Sequence, residues 1–175
     1  MIILGIDPGY AIVGYGVIDY KNNHFDVLDF GAVTTEAKTP FNERIEKIYD
    51  GTVEVIKRWS PTSLAIEKLF YNNNAKTVID VSQARGAIIL AAQKSGLKIF
   101  EYTPLQVKQS VVGYGRAEKK QVQEMTRLLL NLKEIPKPDD TADALAMAIC
   151  HAHSHASLMG DAGIAKKTFK IRNGI

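Results

Sequence analysis

The first 34 residues leave no room for a helix. Ile2–Asp7, Ile12–Tyr20 and Phe25–Thr34 are runs rich in β-branched, aromatic and other apolar residues, separated by short links. Pro8-Gly9 signals one turn, and Lys21-Asn22-Asn23-His24 reads as a hairpin link. Strands joined this tightly run antiparallel, because a parallel return needs a crossover of about a dozen residues or more. The chain therefore opens with a three-stranded antiparallel meander.

Beyond it the pattern alternates. Thr39-Pro40 predicts a helix start, and Phe41, Ile45, Ile48, Val53, Ile56 and Trp59 give that helix an apolar stripe, closed by Ser60-Pro61. A fourth strand is expected at Ser63–Leu69, parallel to its neighbour because a helix precedes it. A long helix over about Ala75–Lys94, a fifth strand at Leu97–Tyr102 and helices at Thr103–Val112 and Glu118–Leu132 follow. The last helix is expected from Asp139 to about Ala156, after Pro136 and Pro138. Together these elements predict an α/β fold: a five-stranded mixed sheet flanked by helices on both faces. Residues 1–157 read as a single domain, and 158–175 as a basic, disordered tail.

Composition narrows the function. Of 175 residues, 46% are hydrophobic and 23% charged, an ordinary globular balance that excludes disorder over most of the chain. A single cysteine, Cys150, excludes an internal disulfide framework and a cysteine-built zinc cluster. No apolar run approaches the ~18 residues of a membrane span, so a cytoplasmic protein is expected. The net charge of +3 is unevenly placed. Thr103–Lys133 carries a surplus of +4 and residues 160–175 one of +3, leaving −4 on the remainder. Basic stretches on a weakly acidic body suit a chain that holds a polyanion while keeping carboxylates for a metal.

Four carboxylates stand out. Asp7 ends the first strand, and Glu67 interrupts the apolar run Leu64-Ala65-Ile66. A charge in so apolar a strand costs several kcal/mol without a partner. If the two strands are parallel neighbours, both acids meet at the sheet's carboxyl end, where a cation would relieve their repulsion. Oxygen ligands of this kind suit Mg²⁺ or Mn²⁺ rather than zinc. Asp140 and Asp143 share one helix face, but so do Asp139 and Asp143, and spacing does not choose between the pairs. Helix capping is the competing role, and Asp139 is assigned to it. Neither Gly14-Tyr15-Gly16 nor Gly113-Tyr114-Gly115 continues as a phosphate loop, and no Walker A sequence is present. The glycines near Asp7 instead read as permitting a turn and a close backbone approach. His151, His153 and His155 read as a solvated helix end, and Cys150 as a core residue.

These residues resemble the RuvC Holliday-junction resolvases. The resemblance rests on Gly5–Gly9, Gly14–Val17, Ala65–Glu67 with Phe70 and Asn74, and Gln83–Gly86. It continues through Val107–Gly113, Ala117–Lys119 and Asp140–Leu145, and covers about Met1 to His155 in order. It implies an RNase H-like fold and a homodimeric, metal-dependent endonuclease. Such an enzyme cuts two opposing strands of a four-way DNA junction, prefers thymine-rich sites, and leaves ligatable nicks with 5′-phosphate and 3′-hydroxyl ends.

The resemblance makes Asp7, Glu67, Asp140 and Asp143 the catalytic, metal-binding tetrad, choosing Asp140 over Asp139. Some members carry histidine at the Asp140 position. It implies Mg²⁺, with Mn²⁺ able to substitute, as two ions about 4 Å apart. Phe70 matches an aromatic that stacks on a base, and Lys108 and Lys119 match contacts to the DNA backbone, with Arg85 a further candidate. The helix over Ala75–Lys94 resembles the family's dimer helix, and the implied partners are the junction-binding RuvA and the motor RuvB. The rival within the same fold is an exonuclease or RNA–DNA hybrid nuclease without junction specificity. The actin/Hsp70/sugar-kinase ATPases share a Gly-x-Asp-x-Gly start but need a second domain and phosphate loop.

Overall fold

The computed structural model describes the backbone of residues 1–69 and 75–172, and side chains at 1–69 and 78–155. The meander forms as expected, as β1 (Ile2–Asp7), β2 (Ile12–Lys21) and β3 (His24–Thr34). Asn22 and Asn23 take positive φ values of 52° and 62°, which give the β2–β3 link the hand a two-residue hairpin requires. α1 (Phe41–Trp59) then crosses to β4 (Ser63–Glu67), and α2 (Ala75–Lys94) to β5 (Lys98–Tyr102). The sheet order is β3-β2-β1-β4-β5. β1 pairs antiparallel with β2 and parallel with β4, and β4 pairs parallel with β5.

α3 (Pro104–Val112), α4 (Lys119–Leu129) and α5 (Asp139–Arg172) complete the chain. Alternate β1 residues feed two cores. Leu4 and Ile6 pack with Ile48 of α1 and Ile88 of α2, while Ile3 packs with Val107 of α3, Val122 of α4 and Leu145 of α5. Each fully buried isoleucine or leucine adds about 2 kcal/mol of apolar burial. The fold is an RNase H-like α/β arrangement, a mixed sheet with helices on both faces.

Several local expectations change. Pro40 is the N-cap of α1 and has no side-chain capping bond, so the helix starts one residue later than Thr39-Pro40 suggests. Asp139 is not a cap. It lies inside the first turn, and its Oδ1 accepts from Lys137 Nζ at 2.9 Å. α5 runs beyond the expected end near Ala156 to Arg172. Alanine, leucine, methionine and lysine supply eight of residues 156–172, and Gly160 and Gly163 cost only about 1 kcal/mol each in a helix.

The expectation of a solvated histidine cluster also fails. α5 crosses the sheet, so His151 is only 1% exposed, bonded to the Tyr102 hydroxyl at 2.7 Å and stacked near Phe100 at 4.3 Å. His153 Nδ1 lies 3.2 Å from the Ser110 hydroxyl. Cys150 is buried, as expected.

Candidate active site

The parallel β1–β4 pairing, with Ile6 opposite Ile66, carries Asp7 and Glu67 to the same end of the sheet. Both are odd-numbered in their strands' alternation, with Ile3 and Ala65, and so face the layer that holds α5. Small residues bring α5 close. A Cβ on Gly5 would strike the Ala144 carbonyl, and one on Gly14 the Asp140 carbonyl. One on Gly16 would strike the Leu145 side chain. Gly14 also stands opposite Asp7 in the β1–β2 ladder. The helix start is thereby seated beside the end of β1, and Asp140 and Asp143 come within electrostatic reach of Asp7.

The charges record that crowding. Burial, together with the negative fields of Asp143, Glu67 and Asp140, pushes the Asp7 carboxyl up to about 7. Burial and Asp143 raise that of Glu67. Burial raises Asp143 as well, against the opposing hydrogen bond and charge of Lys119. Lys119 Nζ sits 2.8 Å from Asp143 Oδ2 and 3.9 Å from Asp139 Oδ2. Asp143 then raises the Lys119 ammonium in turn, chiefly through that hydrogen bond. Asp140 is among the acids whose charge acts on Asp7.

The acids are gathered but not closed into a cage. Among the described residues, no three His, Cys, Asp or Glu side chains converge closely enough to hold an ion as they stand. Mutual repulsion with one ammonium nearby accounts for the spread. The donor set nonetheless fits a hard divalent cation: four carboxylates, oxygen donors only, with an excess of negative charge.

Beside the carboxylates lies a recess of about 200 Å³, with Glu67, Asp143, Lys108 and Lys119 on its wall and Val107 and Met147 beneath. Lys108 and Lys119 thus flank the acids. Arg85 does not reach outward. It is 14% exposed, its Nε donates to the Glu67 carbonyl at 3.1 Å, and its Nη2 pairs with Glu101. Facing the sheet from α2, it braces the end of β4. Phe70 lies outside the described residues. Two features escaped the sequence reading. Lys137, which holds Asp139, had no distinguishing signal. The seating of α5 was signalled by Gly5, Gly14 and Gly16 together with Ala144 and Ala148, small residues four apart on the helix.

Comparison with known proteins agrees with this geometry. The family model "Crossover junction endodeoxyribonuclease RuvC" matches residues 3–151. A curated protein of that name from Caldanaerobacter subterraneus subsp. tengcongensis is 60% identical over 158 residues, covering 90% of this chain and 96% of its own. The structure of T. thermophilus RuvC in complex with Holliday junction substrate superposes with a TM-score of 0.85 at 37% identity, covering 89% of this chain and 94% of that one. The yeast mitochondrial Holliday junction resolvase Ydc2 has a TM-score of 0.67 at 13% identity, covering 95% and 83% of the two chains, and so shares the fold. With its sheet, its helix seating and its sequence in accord over nearly the whole length, this chain belongs to the RuvC family of crossover junction endodeoxyribonucleases.

Proposed function

We propose that this chain resolves four-way DNA junctions by hydrolysing phosphodiesters in two opposing strands, using Asp7, Glu67, Asp140 and Asp143 as its metal-binding residues. The observation that carries the reading is the gathering of the carboxylates about the end of β1, where burial first, and then the charges of Asp143, Glu67 and Asp140, raise Asp7 to about 7. The family is metal-dependent, and Mg²⁺ is the ion best suited to an all-oxygen site, with Mn²⁺ able to substitute. A pair of such ions supplies an activated water and stabilises the leaving 3′-oxygen.

The chain's own residues do the rest. Asp7, Glu67, Asp140 and Asp143 would hold the cations, with Lys119 giving up Asp143 to them. Lys119, 57% exposed, is then free to turn toward a backbone phosphate, with Lys108 on the other side of the recess. Phe70 follows β4 by three residues and is the candidate for stacking on a junction base.

Two active sites are needed for paired cuts, and a two-fold homodimer supplies them. Its surface is assigned to α2, where Ile79 and Leu90 are exposed while Ala84 and Ile88 serve the core. RuvA and RuvB are the proposed partners, and residues 1–157 the nuclease unit. No helix among the described residues is long and apolar enough to cross a membrane, and work on chromosomal junctions points to the cytoplasm.

The deciding experiment offers the protein a synthetic four-way junction, a linear duplex and an RNA–DNA hybrid of matched sequence, with Mg²⁺ and with chelator. Paired, ligatable nicks on the junction alone, abolished by chelator, are expected. Preferential cutting of hybrid or duplex would overturn junction specificity.

A further inference from the structure

Asp7 is the last residue of β1 and stands opposite Gly14, at the end of the β1–β2 ladder. Directly after it, the chain leaves the β1–β2 ladder and turns through Pro8–Ala11 before β2 resumes at Ile12. The turn is tight: a Cβ on Gly9 would fall on the Ile12 carbonyl. A small shift here moves Asp7 relative to Gly14, and so relative to Asp140.

That turn is tied down from outside the ladder. The Thr35 hydroxyl donates to the Tyr10 carbonyl at 2.7 Å, and Arg44 Nη2 donates to the same oxygen at 3.2 Å. Arg44 Nε donates to Thr35 Oγ1 at 2.9 Å, which closes a triangle. The Thr35 amide donates to the Ala11 carbonyl at 2.9 Å. The Arg44 guanidinium also lies 3.6 Å from the centroid of the Tyr10 ring. Tyr10 packs in turn near Phe41, at 5.9 Å between ring centroids.

Arg44 is an odd residue to find there. It is 8% exposed and occupies the buried stripe of α1 with Ile48, Thr52 and Val55. Among the described residues its bonds go to a hydroxyl, a carbonyl and an aromatic face, with no carboxylate pairing with it. Burying a cation is costly unless its hydration is replaced, and an apolar side chain on the same stripe would serve packing at least as well. Every group that replaces the water belongs to the turn after Asp7 or to the end of β3 beside it.

We infer that Arg44 is a positioning residue for Asp7: it clamps the Pro8–Ala11 turn through Tyr10 and Thr35, and so keeps the Asp7 carboxylate where it can meet a metal with Asp140 and Asp143. The inference rests on the family activity. Arg44 touches neither substrate nor metal, and it works through the backbone of the turn.

The test compares Arg44→Ala, Arg44→Lys and Thr35→Val with wild type in the full-length protein. Four readouts are taken: single-turnover cleavage of a saturating four-way junction with Mg²⁺, junction affinity in chelator, metal-free thermal unfolding, and the Mg²⁺ concentration giving half the thermal shift without DNA. Arg44→Ala is expected to slow cleavage by about tenfold to a hundredfold, the scale on which sub-ångström to 1 Å misplacement acts. It should raise the Mg²⁺ requirement while leaving junction affinity unchanged. Arg44→Lys should not restore the rate, since an ammonium cannot make both bonds and stack. Methylguanidine should restore part of the rate to Arg44→Ala.

Thr35→Val should show a smaller loss of the same kind, and it decides the matter if Arg44→Ala does not fold. A wild-type rate and Mg²⁺ requirement in Thr35→Val would overturn the inference. So would a loss of junction affinity in Arg44→Ala that parallels its loss of rate, since Arg44 would then serve folding alone. A wild-type protein that cuts no junction would instead remove the proposed activity, and the Mg²⁺ requirement of Thr35→Val would then decide the clamp.

Discussion

Gly14 of β2 and Asp140 of α5 meet backbone to backbone, so closely that a Cβ on Gly14 would coincide with the Asp140 carbonyl. Because Gly14 also stands opposite Asp7 in the ladder, this one contact joins the two halves of the acidic site. The strand supplies the absence of a side chain, and the helix supplies the carboxylate.

Substituting that glycine should therefore cost both stability and activity. Gly14→Ala must displace helix backbone, and overpacking of this kind is expected to cost about 3 kcal/mol. Gly16→Ala meets the Leu145 side chain rather than a carbonyl, and because Leu145 is itself fully buried about 2 kcal/mol is expected there. Chemical denaturation of the two variants checks the order, and cleavage should fall far more in Gly14→Ala. Equal costs would mean that α5 is free to slide.

Asp7→Asn should stabilise the metal-free protein while abolishing cleavage. With its folded value raised from 3.8 to about 7, the Asp7 carboxyl binds more protons in the folded state than in the unfolded one across that window. Stability therefore falls as pH rises through it, and the penalty is complete above about 7. Asparagine removes the penalty. In chelator at pH 8 the variant is expected to melt a few degrees higher, about 1 kcal/mol or more. The gain should shrink toward pH 4, and junction binding should persist. A lower melting temperature at pH 8 would show that the Asp7 charge is not strained.

His151 predicts a second pH dependence of opposite sign. Burial and the neighbouring His155 lower it from 6.5 to about 4, so the unfolded state binds the extra proton between those values. Stability should rise as pH increases from 4 to 6.5, by about 3 kcal/mol, and be lost on acidification through the same range. Thermal melts of wild type against the double variant Tyr102→Phe with His151→Phe measure this slope. It should be shallower in the variant, which leaves no orphaned Tyr102 hydroxyl.

Cys150 should be inert. Its thiol is buried and pushed up to about 11, chiefly by that burial. Little thiolate forms at neutral pH, and a disulfide-exchange reagent should label it only as fast as the protein unfolds. Rapid labelling of folded protein would place α5 further from α3 than Ser110 and His153 put it.

The local alphabet of this chain was readable in advance wherever one residue type admits one conformation. The Asn22-Asn23 hairpin and the closure of α1 at Ser60-Pro61 both depend on neighbours within a few residues. Arg44, Arg85 and His151 were misread or passed over for a common reason. As single letters they read as solvent-facing, and each is bonded to an element far away in sequence, the β1–β2 turn, the end of β4 and β5 respectively, which buries Arg44 and His151 and half-buries Arg85.

The sequence by itself determined that one apolar strand ends in a carboxylate and another carries one within it, that a helix begins with three more acids nearby, and that the glycines near Asp7 permit a close backbone approach. Local propensity and the cost of burying charge suffice for those statements. Only the tertiary structure decided that α5 lies against Gly14, which sets the Asp140 backbone beside the end of β1 and leaves Asp139 paired with Lys137. Helix phase about its own axis is set by what the helix packs on, and adjacent residues differ by about 100° in direction. That rotation is a property of the assembled core.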